Sequence, residues 1–257
     1  MRINEVLKYE VFEKNGKAND NFAKIEGRCS DALEACSNGK MIFRGTRINT
    51  LPVMLVDPSA SQRKSANTEN YYTLLIDNLP SWQNYPKRSK SLICSTSRHV
   101  AELFSQDNDK NGGVYIVLPF NGAKIGICPQ RDIWLTNIQG RRMYEWNRIY
   151  SSYGISDSSY QSMIRDMHYD GLAASIFNND INIKTDAEMI VYLDEMYDPV
   201  NLGFSVVPIE GLPEASNDPR ELWTDSKCYL INVKAKEYIN ILRSKYGNGL
   251  LNNIGND

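Results

Sequence analysis

Val114-Tyr115-Ile116-Val117-Leu118, set between the turn Asn111-Gly112-Gly113 and Pro119, decides the fold class. Five consecutive β-branched, aromatic or aliphatic residues bounded by turn formers are too few for an independent helix and suit a strand buried on both faces. Asn121-Gly122 follows, and then Ala123 to Cys128, a second apolar run. The spacing predicts a hairpin.

Working outward, Leu92-Ile93-Cys94 and Lys40 to Arg44 are further strand candidates, as are Glu188 to Leu193, Phe204 to Val207 and Cys228 to Val233. Helical spacing occurs earlier and between them. Phe22, Ile25, Cys29, Leu33 and Cys36 recur at three- and four-residue steps and end at Asn38-Gly39. A helix capped by Thr68 carries Tyr71, Tyr72, Leu74, Leu75 and Leu79 and stops at Pro80. His99 to Phe104 is a short helix with Val100, Ala101, Leu103 and Phe104 packing back; Arg141 to Tyr150 and Ser156 to His168 are helical stretches between strands. Lys234 to Tyr246 is the last helix, ending at Gly247, and Asn248 to Asp257 is a fraying tail. Strands and helices without regular alternation give an α+β fold in one domain, 1–257, with a helical part over about 1–39, a core over about 40–235 and a terminal helix and tail over 234–257.

Composition sets bounds on function. A formal charge of −2 gives no general attraction to polyanions, so a nucleic-acid contact requires a local patch. Trp82, Tyr85, Lys87, Arg88, Lys90 and Arg98 form the one stretch that interleaves aromatic and basic residues as single-strand-binding surfaces do. A core-edge loop accounts for it equally well. Five scattered cysteines without a C-x-x-C pair, and only two histidines, argue against a zinc site and fit reduced thiols. No stretch approaches the length of an apolar span and the start does not resemble a secretory signal, so the expectation is a cytoplasmic protein with no membrane partner.

Three short segments place polar atoms at the tips of strand candidates: Ile42-Phe43-Arg44-Gly45-Thr46, Leu92-Ile93-Cys94-Ser95-Thr96-Ser97 and Asp186-Ala187-Glu188-Met189-Ile190-Val191. Singly each is commonplace. Ser97 also reads as the cap of the His99 helix. Asp194 and Glu195 read as a solvated helical pair, and His99 and His168 as surface or capping residues, because no nucleophile motif lies near them.

In order and spacing the three segments resemble the Arg-Ser-Glu class of ADP-ribosyltransferases, over roughly Met41 to Leu193. In that family an arginine ends the first core strand, a Ser-Thr-Ser triplet ends a later one, and a Glu/Gln-x-Glu motif opens a further strand. The resemblance implies a mixed β-sandwich core with flanking helices, and an enzyme that cleaves NAD and passes ADP-ribose to a protein side chain or a nucleic-acid base. It implies that Arg44, Gly45, Thr46, Ser95, Thr96 and Ser97 hold the dinucleotide and that Ser95 also orders the site. Glu188 would stabilise the ribosyl cation, and Asp186 would orient or deprotonate the acceptor. Phe177, in the loop Asp170 to Thr185, would help Asp186 recognise the acceptor. No metal enters this scheme. Asp186 departs from the Glu or Gln of the motif, which leaves the acceptor open. An intracellular toxin, antiviral defence factor or phage-encoded host modifier is the implied setting, with an antitoxin or inhibitor as partner in the toxic case. An NAD glycohydrolase, and a non-enzymatic nucleic-acid-binding or phage-structural module, are the competing readings.

Overall fold

The computed structural model describes residues 9–11, 18–47, 51–60, 71–105, 112–136, 186–214 and 218–247. Its centre is a nine-stranded sheet whose pairs are all antiparallel: β1 (Tyr9–Val11), β2 (Phe43–Thr46), β3 (Val53–Val56), β4 (Leu92–Ser95), β5 (Gly113–Pro119), β6 (Lys124–Ile127), β7 (Ser205–Pro208), β8 (Glu221–Thr224) and β9 (Cys228–Asn232). Their order across the sheet is β1-β3-β9-β5-β2-β4-β8-β6-β7. Five helices accompany it: α1 (Ala18–Ser37), α2 (Tyr71–Asn78), α3 (Arg98–Ser105), α4 (Asp186–Met196) and α5 (Lys236–Tyr246). The α+β class is therefore observed. The pairing is continuous across the nine strands.

The apolar run at 113–119 is buried along its whole length and forms the middle of the sheet, with β2 on one edge and β9 on the other. The expected hairpin with β6 does not form. Both edges of β5 are occupied by strands distant in sequence, and β6 pairs instead with β7 and β8. The intervening turn is held by α1, which kinks at Cys29 (φ −130°, ψ 30°). The Arg28 carbonyl accepts from the Asn121 amide at 2.8 Å, Asn121 Oδ1 accepts from the Asp31 amide at 3.2 Å, and Asp31 Oδ2 accepts from the Gly122 amide at 3.1 Å. Gly122 has φ +75°, a conformation that favours glycine.

Phe22, Ile25, Cys29, Leu33 and Cys36 of α1 are all buried, as their spacing predicts, and belong to one core with Phe43, Ile116, Leu118, Leu230 and Leu242. A second difference concerns α3. Val100 and Ala101 face inward, but Leu103 and Phe104 are exposed, so the helix packs on one narrow side only. The third is the run from Glu188 to Leu193, expected as a strand and found within α4. Leu193, Met196 and Tyr197 are buried and Val191 is exposed, which is helical rather than alternating burial. Thr68, the stretches 141–150 and 156–168, and the tail from 248 lie outside the described residues. No described helix is long and apolar enough to cross a membrane.

Candidate functional site

β2 and β4 meet at a single register position, Phe43 opposite Ser95, whereas β2 with β5 and β4 with β8 each share four. The sheet is thus pinned at its middle by one pair. Arg44 bridges this junction: its Nη1 donates to the Ile93 carbonyl of β4. Gly45, next along, sits under α3. A Cβ there would lie 1.9 Å from the Ala101 carbonyl oxygen, so close helix approach explains the glycine. The Thr46 side chain joins a network around the Tyr115 hydroxyl that also includes Asn232 and the Leu51 carbonyl. Burial is the main reason the Tyr115 hydroxyl is held above its ordinary range.

The triplet at the end of β4 is divided among three tasks. Ser95 is buried, and its Oγ accepts from the Ser97 amide at 3.1 Å. Thr96 donates its amide to the Arg220 carbonyl at 3.0 Å and accepts the Arg220 amide on Oγ1 at 2.9 Å. Ser97 caps α3 as expected, its Oγ accepting from the Val100 amide at 3.4 Å.

On the far side of β4 stands β8, with Ser95 opposite Glu221. Phe43, Ser95 and Glu221 form one register line across three neighbouring strands, at the start of β2, the end of β4 and the start of β8. Glu221 is buried. Its Oε1 accepts from Arg88 Nη1 at 2.6 Å, and its Oε2 accepts from the Ile133 amide at 3.4 Å. The guanidinium of Arg88 lies 5.6 Å from the centroid of the Trp223 ring. Asp132, whose Oδ1 accepts from the Trp134 amide at 3.0 Å, lies close enough for the Glu221 charge to act on it. Burial first, and that charge second, raise its carboxyl above the ordinary range. The Cys128 thiol is raised for the same two reasons.

The basic and aromatic stretch is part of the core edge. Trp82 and Tyr85 are buried, with ring centroids 4.8 Å apart, and Tyr85 stacks on Trp223 at 6.2 Å. Trp82 Nε1 donates to the Tyr197 carbonyl at 2.8 Å, and the Ser81 amide donates to Asp194 Oδ1 at 2.9 Å, so Asp194 anchors α4 to this turn rather than facing solvent alone. Lys87 Nζ donates to the Asp77 carbonyl. These rings are packed against protein and present no stacking platform for bases.

Arg44 thus lies one residue along β2 from the Phe43–Ser95 pair, and strand alternation turns its side chain to the opposite face from Ser95 and Glu221. Asp186 and Glu188 lie in the first turn of α4, not at the mouth of a strand, and Phe177 lies outside the described residues. Glu221 was not singled out in the sequence, and Arg88 was read only as part of the basic and aromatic stretch. Glu221 has a signal in hindsight, a carboxylate opening the short run Leu222-Trp223-Thr224 after Pro219. Arg88 has none beyond its place among aromatic residues. Among the described residues no group of three His, Cys, Asp or Glu side chains is placed to hold a metal ion. Neither a family model, nor a curated protein, nor a solved structure matches this chain.

Proposed function

We propose that this protein cleaves the nicotinamide-ribose bond of NAD and transfers ADP-ribose to a macromolecular acceptor, at the junction of β2, β4 and β8. The observation that carries the reading is the register line from Phe43 through Ser95 to Glu221. It sets the Ser-Thr-Ser triplet and a strand-opening glutamate at one end of two adjacent strands, with Arg44 the next residue after Phe43 on the third. Glu221 takes the part the sequence suggested for Glu188. Pro219 then stands two residues before it, where the motif has Glu or Gln, so the acceptor is not chosen by that position.

The donor set suits a dinucleotide. NAD supplies the leaving nicotinamide and the sugar on which positive charge develops. Arg44 offers a planar fork for diphosphate or ribose oxygens, the hydroxyls of Ser95 and Thr96 order the strand end, and the Glu221 carboxylate stabilises positive charge on the ribose. A buried, fixed carboxylate does this better than a mobile one, because no reorganisation is needed when the charge forms.

The test is incubation with NAD labelled in its adenylate part and separate protein, RNA and DNA pools. One pool becomes labelled with the wild type. Glu221→Gln lowers nicotinamide release by about 10²- to 10³-fold, on the scale of removing one transition-state electrostatic group, whereas Glu188→Gln stays close to wild type. The reverse pattern moves the site to α4. Undiminished nicotinamide release without any labelled pool makes water the acceptor, and no NAD turnover at all overturns the reading.

A further inference from the structure

We infer that Arg88 is the positioning residue for Glu221, the group that fixes this buried carboxylate beside β4. The inference rests on the NAD reading for its purpose, but on geometry for its content.

The segment from Arg88 to Thr96 grips residues 220 and 221 at three points. Arg88 Nη1 meets Glu221 Oε1 at 2.6 Å, Ser95 lies opposite Glu221 in register, and Thr96 holds the Arg220 backbone through both its amide and its hydroxyl. Both members of the ion pair are withdrawn from water, with side chains 3% and 9% exposed. A carboxylate so buried stays charged only beside a compensating cation. The cation is itself fixed. The 3-10 turn Arg88–Lys90 receives the carboxylate of Asp77, which accepts the Ser89 amide at 3.3 and 3.2 Å, and the guanidinium lies over Trp223, whose Nε1 donates to the Pro86 carbonyl at 3.0 Å. These contacts hold the guanidinium where the carboxylate needs it.

Among the described residues, the titratable and charged groups near Glu221 are Arg88 from the turn before β4, and Cys128 and Asp132 from the segment after β6, with Arg131 beside Asp132. Cys128 is neutral in its ordinary state and Asp132 is an acid, so neither replaces the charge of Arg88.

The experiment is the carbon-13 carboxyl spectrum of full-length protein labelled at glutamate, recorded at one pH with the Glu221 signal assigned by its loss in Glu221→Gln, run alongside kcat and KM for NAD consumption. In Arg88→Gln, which keeps a donor to Oε1 but no charge, the Glu221 signal moves and kcat falls by about 10-fold or more with KM little changed. Arg88→Lys returns the signal toward its wild-type position while kcat stays reduced, because an ammonium lacks the planar fork. Arg88→Lys carries the test by itself if Arg88→Gln does not fold: its Glu221 signal must lie near the wild-type position. A Glu221 signal unmoved in Arg88→Gln, or displaced in Arg88→Lys, overturns the role of Arg88. A signal that moves as stated in a protein without NAD turnover overturns the NAD reading alone.

Discussion

Thr96 holds Arg220 by two hydrogen bonds of opposite sense, amide to carbonyl at 3.0 Å and hydroxyl oxygen from amide at 2.9 Å. The middle residue of the triplet therefore fixes the residue immediately before Glu221. Its neighbours have other duties, Ser95 in the register line and Ser97 at the start of α3. A triplet that a sequence reading assigns as a unit to a dinucleotide is, in the fold, a clamp with one residue turned to each of three elements.

Thr96→Val tests the clamp. The substitution keeps the shape but leaves the partly buried Arg220 amide without this acceptor, at a cost of about 0.5 to 1.5 kcal/mol, the worth of a typical intramolecular hydrogen bond. Thr96→Ser, which keeps the oxygen, stays within about 1 kcal/mol of wild type by the same accounting. Urea unfolding of the three proteins gives the comparison. Equal stability of the valine and serine variants would show that the hydroxyl contributes nothing to holding β8.

Gly126 and Trp223 supply a second test. They are register partners on β6 and β8, and a Cβ on Gly126 would fall 2.2 Å from the indole Cε2. The indole has little room to swing, because its Nε1 is bonded to Pro86 and both Tyr85 and Phe204 pack against it. Gly126→Ala is expected to destabilise by about 3 kcal/mol, the upper part of the range for overpacking. Because Arg88 lies over the same ring, NAD turnover should fall beyond the loss of folded protein, and the tryptophan emission of the folded fraction should shift. A variant with wild-type stability and emission would mean that the ring relaxes freely.

How much of this was legible in the sequence differs element by element. The strand at 113–119, the β4 run ending in Ser95 and the face of α1 could be read because each is an apolar pattern of one period with clear bounds. Met189-Ile190-Val191-Tyr192-Leu193 could not. A short, nearly continuous apolar run fits both periods, and only burial of Leu193, Met196 and Tyr197 with exposure of Val191 separates them. Glu188 was consequently expected at a strand end and lies instead in α4. β8 escaped notice because only Leu222 and Trp223 are apolar in it, and because its partners, β4 and β6, lie far earlier in the chain. Strand order is a long-range property. It also decides that Asn121-Gly122, a good hairpin signal by local chemistry, joins two strands that never pair.

The final prediction concerns pH and the support beneath Arg88. The carboxyl of Asp77 is raised above its ordinary range, chiefly by burial, against the opposing bonds from Ser89 and the charge of Lys87. A carboxyl raised in the folded state binds its proton more tightly there than when unfolded. Its contribution to stability is thus complete below the unfolded value, near 3.9, and is lost as pH rises through the folded value. Asp57 and Glu26, both lowered mainly by hydrogen bonds, from Ser59 and from Lys245 respectively, slope the other way, losing their contribution as pH falls. The difference between wild type and Asp77→Asn removes those common slopes and isolates Asp77. Asparagine keeps an acceptor for the Ser89 amide and has no charge to bury, so the variant should gain on wild type as pH rises from about 4 to about 7. Unfolding free energies measured across that interval check the sign. A difference that is flat, or that grows in favour of wild type, would mean that the carboxylate is stabilised by Ser89 and Lys87 more than burial opposes it.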